Sequence, residues 1–501
     1  MRRRLIFLAV LALSAVVSAA VIQRAGNWKE YHYVGTELKV DLAAPDAVIR
    51  TASLAQLPRD VLKAPMARDV LTEDLAFYYE QHEDRLGLNG ALKRMAFEHD
   101  QGLSDRIFAS ALNEPAELAF WRDGRGALRH YAVVIRRNFI AQVLQQAAQI
   151  ALKDEQLKLA GEIDLGGAPV KAFALQINPR RTFLLLGQGD RLVLLSDPGL
   201  LFDAKNKANP AAVAAVRNWL TQEGALANAF ALDGKATHTL AIGKRALALG
   251  YGDFVKGFKG LRFDYTQTWS TSLWLTEGQT LPTGNLALWQ SAPANPAACV
   301  ATPVDWTGVA RVIREAEAGP ALPDAAVLAA LDGAGLACWY AESRLYTPLF
   351  IARLPQSAPR RDEALQALAA WAIKAKKTEA RGGAKIWQHD GAMLAARGDI
   401  VVFSPDGELV KKTLDTLARA HPNVADQLPA SDALLALLTP RAVSAMAGRE
   451  ITDIVKRDAD RLAVVQTHLP PKLRALSTYP PQRLLLSGKG AGWQALEWQA
   501  Q

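Results

Sequence analysis

Five short motifs occur twice in this 501-residue chain, in the same order and about 210 to 220 residues apart, and that duplication constrains the fold more than any other feature. Ala116-Glu117-Leu118-Ala119-Phe120-Trp121 faces Ala334-Gly335-Leu336-Ala337-Cys338-Trp339, with Ala, Leu, Ala and Trp shared. Ile135-Arg136 has its partner in Ile351-Ala352-Arg353, and Gly166-Gly167-Ala168 in Gly382-Gly383-Ala384. The run from Gly189-Asp190 to Val193 matches the run from Gly398-Asp399 to Val402. Ser196-Asp197-Pro198-Gly199 and Ser404-Pro405-Asp406-Gly407 close the series, each with turn residues that end a strand and precede a helix. Each match is weak alone; their common order implies two diverged copies of one unit.

Within a copy the pattern reads as antiparallel sheet plus helices. Glu117 to Trp121 and Ala127 to Ile135 are rich in strand formers and flank Arg122-Asp123-Gly124-Arg125-Gly126, so a hairpin is expected. Asn138 then caps a helix with the stripe Ile140, Val143, Leu144, Ala147 and Ala151, and Asp362 takes the same place before Leu365, Leu368, Ala369 and Ile373. Strands are expected at Val170 to Ile177, Thr182 to Leu186 and Arg191 to Leu195, and Asn209-Pro210 opens a helix through Trp219. Both copies finish in a tryptophan-bearing hairpin, 261–275 with Trp269 and Trp274 and 483–498 with Trp493 and Trp498.

Ahead of the first copy, Trp28 to about Leu62 reads as irregular apart from a short strand at Glu37 to Val40, and Ala67 to Ala111 as helical. The Pro/Ala-rich stretch 277–303 reads as a linker. The expected fold class is therefore α+β: two diverged tandem repeats of antiparallel sheet plus helices, preceded by an N-terminal export or anchor helix and a short helical segment. The domains that follow are 1–25, a signal peptide or membrane anchor; 26–280, the first repeat with its helical preface; and 281–501, the second repeat including the linker.

Arg2, Arg3 and Arg4 precede an uncharged run from Leu5 to Ile22 that ends in Gln23 and Arg24, the pattern of an export segment. As a helix the run spans roughly 27 Å, just under the ~30 Å of a bilayer core. Val17-Ser18-Ala19 offers the small residues of a cleavage site, so anchoring and cleavage both stay open. Either way the arginines direct the rest of the chain to the periplasm, anchored to the inner membrane through residues 5–22 or released.

The formal charge is +8, three of it from those arginines, and the other Lys and Arg are dispersed among Asp and Glu, so no nucleic-acid partner is expected. The two cysteines, Cys299 and Cys338, are even in number in an oxidising compartment, which makes them a disulfide candidate. Such a bridge contributes on the order of 4 kcal/mol by constraining the unfolded chain. Two buried free thiols are the alternative, because Cys338 sits at an apolar strand position.

Motifs that carry chemistry are absent: no G-x-S-x-G, S-x-x-K, H-E-x-x-H or G-x-x-x-x-G-K-[ST] occurs. Gly488-Lys489-Gly490-Ala491-Gly492 lies between two strand candidates and reads as a hairpin turn, not a phosphate loop. Glu80, His82, Glu83 and Asp84 with Glu98, His99 and Asp100 form the best metal candidate, but consecutive residues point in different directions around a helix, which favours two solvated helix faces. His130, His238, His389, His421 and His468 stand apart, and the twelve tryptophans read as core residues. No catalytic, cofactor-binding or metal residue is assigned, and no cofactor is expected.

Where Ala111-Leu112-Asn113-Glu114-Pro115-Ala116-Glu117 runs into Trp121-Arg122-Asp123-Gly124, the chain resembles the YfaA-like family of uncharacterised bacterial envelope proteins. The resemblance implies association with alpha-2-macroglobulin-like protease traps and supplies no catalytic residues. The functional expectation is a non-enzymatic periplasmic binding or accessory protein that contacts a protein partner of the envelope, a macroglobulin-like trap being the partner class. The alternative is an envelope hydrolase with an unrecognised active site between the repeats.

Overall fold

Short strands, several of them joined by tight glycine-bearing turns, are the commonest element among the described residues. The computed structural model describes residues 38–54, 56–64, 113–123, 128–136, 157–164, 169–178, 181–203, 205–247, 257–276, 286–303, 334–344, 347–375, 378–427, 434–455, 459–487 and 490–500. The expected export segment, the helical preface with its metal candidate, the helix after Asn138 and the Gly166-Gly167-Ala168 motif lie outside the described residues. Among the described residues no helix is long and apolar enough to cross a membrane.

The chain divides into two units, Met1–Leu249 with Leu261–Trp269 and Gly250–Gly260 with Ser270–Gln501. The first holds the strands Ala47–Thr51 (β1), Ala116–Arg122 (β2), Leu128–Arg136 (β3), Leu157–Ile163 (β4), Val170–Asn178 (β5), Arg181–Gln188 (β6), Arg191–Leu195 (β7) and His238–Gly243 (β8). They pair antiparallel in the order β8-β1-β2-β3-β7-β6-β5-β4. The unit boundary crosses the strand Phe258–Tyr265 (β9).

Among its described residues the first unit also holds the helices Leu57–Val61 (α1), Pro210–Thr221 (α2) and Lys244–Leu247 (α3). Asn209 caps α2, its Oδ1 accepting from Ala211 N at 3.0 Å, with Pro210 at the first helical position. Ala212, Ala215, Val216, Trp219 and Leu220 are its buried stripe, at helical spacing. Trp219 meets Trp121 of β2 at 6.0 Å between ring centres.

In the second unit the strands are Trp269–Leu275 (β10, whose Trp269 belongs to the first unit), Ala298–Pro303 (β11), Ala334–Trp339 (β12), Leu349–Arg353 (β13), Glu379–Arg381 (β14), Ala384–His389 (β15), Ala392–Arg397 (β16), Ile400–Ser404 (β17), Leu434–Leu438 (β18), Gln482–Leu486 (β19) and Gly492–Ala500 (β20). Their antiparallel order is β10-β20-β19-β18-β11-β12-β13-β17-β16-β15-β14. From β18 to β14 this order corresponds strand for strand with β8 to β4 of the first unit.

The helices of the second unit are Leu286–Ser291 (α4), Arg361–Ile373 (α5), Gly407–Leu417 (α6), Pro440–Val455 (α7) and Ala459–Ser477 (α8). Alternation along the strands feeds two cores. Met393 and Ala395 of β16 and Ile400 and Val402 of β17 face α4 and α6, together with Leu336, Cys338, Leu409 and Val410. Leu394, Ala396 and Val401 face the other way, against Leu365, Leu368 and Ala369 of α5. Strands buried on both faces lose the polar alternation of a one-sided sheet, which is why β16 and β17 read as continuous apolar runs.

The structure corrects the expected α+β class. Among the described residues strand exceeds helix, 40% against 29%, and they form a mostly antiparallel sheet with few helices rather than helices alternating with sheet. The cause is local: adjacent strands are joined by two-residue turns in which Gly189, Gly382, Gly383 and Gly398 hold φ values between +56° and +77°. Such turns return the chain antiparallel without a helical crossover.

Three finer expectations change as well. The stretch read as irregular before residue 62 contains β1, which pairs with β2 on one side and β8 on the other. The stretch 286–303, read as linker, forms α4 and then β11, inserted between β12 and β18. Asp362 does not cap α5: Arg360 holds that position without a side-chain bond, and Asp362 lies in the first turn, 2.7 Å from Lys385 Nζ.

Candidate functional site

Two arrangements stand out among the described residues, one a polar network within the first unit and one an apolar row across the sheet of the second. The polar network centres on His238, which has no exposed surface. Strand β8 places its ring beside β1, so that Nδ1 lies 2.7 Å from Thr51 Oγ1, while Nε2 lies 2.8 Å from Asp60 Oδ2 on α1. Lys63 Nζ sits 2.6 Å from Asp60 Oδ1 and donates to Tyr265 Oη at 2.8 Å. The Tyr265 ring stacks on the imidazole with centres 5.6 Å apart, and Trp269 Nε1 donates to Asp60 O at 2.7 Å.

Burial opposes the charged form of Asp60, yet hydrogen bonds from Lys63 and His238 outweigh it and hold the carboxyl below the usual carboxylate range. The hydrogen bond to Asp60, then the one to Tyr265, holds the Lys63 ammonium above its ordinary value. Hydroxyl, imidazole and carboxylate in line is the order of a nucleophilic relay. Thr51 is only 2% exposed and its hydroxyl also lies 2.8 Å from Ser53 O, so the relay has no face open to a substrate. The arrangement ties α1, β1 and β8 together.

The apolar row follows from register. In an antiparallel sheet, residues directly opposite one another project from the same face. Phe350 of β13 is opposite Ala337, Ala337 opposite Val300, Val300 opposite Ala436, Ala436 opposite Leu484, and Leu484 opposite Trp498. At one end Phe350 stacks on Phe403 with ring centres 6.1 Å apart. Exposure along the row is uneven: Val300 in its middle is 38% exposed and Trp498 at its far end 48%, while Leu484 between them is buried. On the opposite face of β20, Trp493 stacks on Trp274 of β10 at 5.1 Å, and Lys259 Nζ lies 5.2 Å from the Trp274 ring centre.

The other singled-out residues fall as follows. Cys299 and Cys338 are register partners in β11 and β12, fully buried, and joined in a disulfide with Cα atoms 4.1 Å apart. The bridge links two neighbouring strands of the sheet rather than a linker to a domain. His130 is buried on β3, where burial pushes its imidazole below its ordinary pKa and Asp197 works against that push. His389 Nε2 is 3.3 Å from Asp390, and His421 Nδ1 donates to Pro422 O at 2.8 Å. Among the described residues no three His, Cys, Asp or Glu side chains gather as metal ligands.

Sequence reasoning noticed His238 but not its partners, because 178 residues separate it from Asp60. It placed Trp493 and Trp498 on the right hairpin, but the row through Val300 was hidden by reading β11 as linker.

Comparison with known proteins places these features in a family. The chain is 29% identical to "Uncharacterized protein YfaA" of Escherichia coli (strain K12) over 545 aligned residues, covering 98% of this chain and 96% of that protein. Among solved structures, "Structure of crystal form III of TP0453" overlaps 77% of this chain and 99% of that one at 7% identity and a TM-score of 0.19, which supports no conclusion about fold or role. A family model described as "Uncharacterized protein conserved in bacteria (DUF2138)" matches residues 3–391 and 388–498, and the chain belongs to that family.

Proposed function

We propose that this protein is a non-enzymatic binding or accessory protein of the cell envelope that engages a protein partner through the sheet face of its second unit. The observation that carries the reading is the apolar row from Phe350 to Trp498, exposed at Val300 and at Trp498. An exposed tryptophan at the end of an apolar row is the kind of anchor that protein interfaces use, with large contact area and little rotamer entropy to lose. The export-type segment at 2–24 and a disulfide between Cys299 and Cys338 support an oxidising, extracytoplasmic setting. A macroglobulin-like protease trap is the partner class that the YfaA-like resemblance implies.

The experiment is affinity capture of tagged full-length protein from crosslinked envelopes, with mass spectrometry of captured proteins and of the bait's own N-terminus. The reading expects a discrete partner that is captured by the wild type and lost by the Trp498→Ala, Val300→Ser variant, with an intact 5–22 segment adding membrane anchoring. Nothing above background across several lysis conditions, or equal capture by the variant, overturns it.

A further inference from the structure

A cavity of about 390 Å³ lies in the second unit between the loop after β12, helix α6 and the start of α7, lined by Tyr340, Glu342, Lys412, His421, Thr439 and Arg441 among others. None of these residues belongs to the apolar row. Two cationic side chains reach it from different elements, Lys412 from α6 and Arg441 from α7, against a single carboxylate. Lys412 Nζ is 3.3 Å from Glu342 Oε1 and 5.2 Å from the centre of the Tyr340 ring, which fixes the ammonium over an aromatic wall. That wall is rigid: Tyr340 is 1% exposed and its hydroxyl donates to Pro293 O at 3.0 Å. Arg441 is exposed and forms no hydrogen bond or ion pair among the described residues.

The backbone adds to the same charge. Thr439 O accepts from Val443 N at 3.0 Å in the first turn of α7, and Pro440 has no N–H to offer. The donors left at this end of a 16-residue helix are the N–H groups of Arg441 and Ala442, both on residues that line the cavity. A guanidinium and an ammonium from two different helices, with two helix N–H groups on residues that line the same cavity, match the three acceptor oxygens of a phosphoryl group better than the two of a carboxylate.

We propose that this cavity binds a small phosphoryl oxyanion, inorganic phosphate or the phosphate of a small phosphomonoester, through Arg441, Lys412 and the first turn of α7. Glu342 opposes the anion and keeps the affinity moderate.

The test is isothermal titration of the full chain at fixed salt with inorganic phosphate and with glycerol 3-phosphate, acetate serving as the comparison anion. One saturable site is expected, weakened about tenfold in Arg441→Ala and in Lys412→Met, each removing one charge-assisted bond. Glu342→Gln tightens binding, a gain that no misfolded variant would give. Binding of glycerol 3-phosphate alone identifies the phosphomonoester as the source, and binding of both identifies the bare phosphoryl group. The proposal fails if neither probe saturates, if acetate binds as well as phosphate, or if the Arg441→Ala, Lys412→Met double variant binds like the wild type.

Discussion

His238 Nε2 and Asp60 Oδ2 lie 2.8 Å apart, joining a strand and a helix that are 178 residues apart in sequence, and the imidazole has no contact with solvent. The same carboxylate also holds Lys63 Nζ at 2.6 Å, so removing it leaves a buried imidazole without its hydrogen-bond partner and an ammonium without its counter-charge. Asp60→Ala is therefore expected to destabilise the first unit by about 3 kcal/mol in urea denaturation. The pH dependence has a definite sign: the carboxyl of Asp60 is held below 3.8, so its contribution is complete above that value and is lost as pH falls through the lower, folded-state pKa. Asp60→Asn loses this acid-side slope; an unchanged slope in the variant would mean that the network contributes nothing there.

The disulfide joins strands that already pair, so its removal leaves the register in place and acts on the unfolded chain. With the cysteines 39 positions apart in sequence, the chain-entropy model gives about 4 kcal/mol. Cys299→Ala, Cys338→Ala is expected to lower stability by about 4–5 kcal/mol, the larger part entropic and the rest from two small voids in a packed core. Guanidinium melts of the oxidised wild type, the reduced wild type and the double variant check this. Agreement between the last two isolates the bridge from the packing of the sulfur atoms.

Gly407 opens α6, and its N–H donates to Gly391 O at 2.8 Å, so the turn after β17 is closed on the β15–β16 turn by backbone alone. A Cβ at Gly407 would come within 2.8 Å of that same carbonyl oxygen. Backbone does not yield as a side-chain tip does, and Gly407→Ala is expected to cost about 1–3 kcal/mol despite alanine's better helix propensity. Gly189 provides the comparison within the same protein: with φ +57° and nothing within 4 Å of its Cβ position, substitution there costs only backbone strain, about 1–2 kcal/mol. Thermal melts of the two alanine variants decide whether closure at Gly407 carries more than conformational preference.

The duplicated motifs were legible because turns write themselves into sequence. Gly189-Asp190 and Gly398-Asp399 join equivalent strand pairs, β6–β7 and β16–β17, and Ser196 to Gly199 and Ser404 to Gly407 follow equivalent strands. The equivalent strands β1 and β11 were not legible, for one shared reason. β1 and β11 are central and short, five and six residues, and their partners on both sides come from much later in the chain. Local pattern cannot tell such a segment from a linker when prolines border it, as Pro45 and Pro303 do. The helical pair α7 and α8 was missed for another cause: Pro470 and Pro471 lie inside α8, where a reader expects a helix to stop. The site followed the same division, since a hydroxyl, a carboxylate and an imidazole gathered from β1, α1 and β8 share no local motif.

Glu117 offers the opposite pH behaviour to Asp60. Burial pushes its carboxyl above the ordinary value of 4.5, more than the hydrogen bond from Leu226 N and the charge of Arg50 pull it down. The folded state then holds its proton more tightly than the unfolded chain, so the stabilising contribution is present below pH 4.5 and is lost as pH rises through the folded pKa. Glu117→Gln keeps an acceptor for Leu226 N, now 3.1 Å from Oε2, and removes the charge that burial penalises. Its stability is expected to stay within about 1 kcal/mol of the wild type at neutral pH, and to lose the wild type's decline above pH 4.5. Glu117→Leu removes the acceptor as well and leaves the Leu226 N–H unsatisfied, costing about 1–3 kcal/mol at every pH. Urea denaturation of the three proteins from pH 4 to 8 separates the terms: a flat Gln profile beside a uniformly lower Leu profile assigns the slope to charge and the offset to the hydrogen bond, whereas a Gln variant that keeps the decline places its origin elsewhere.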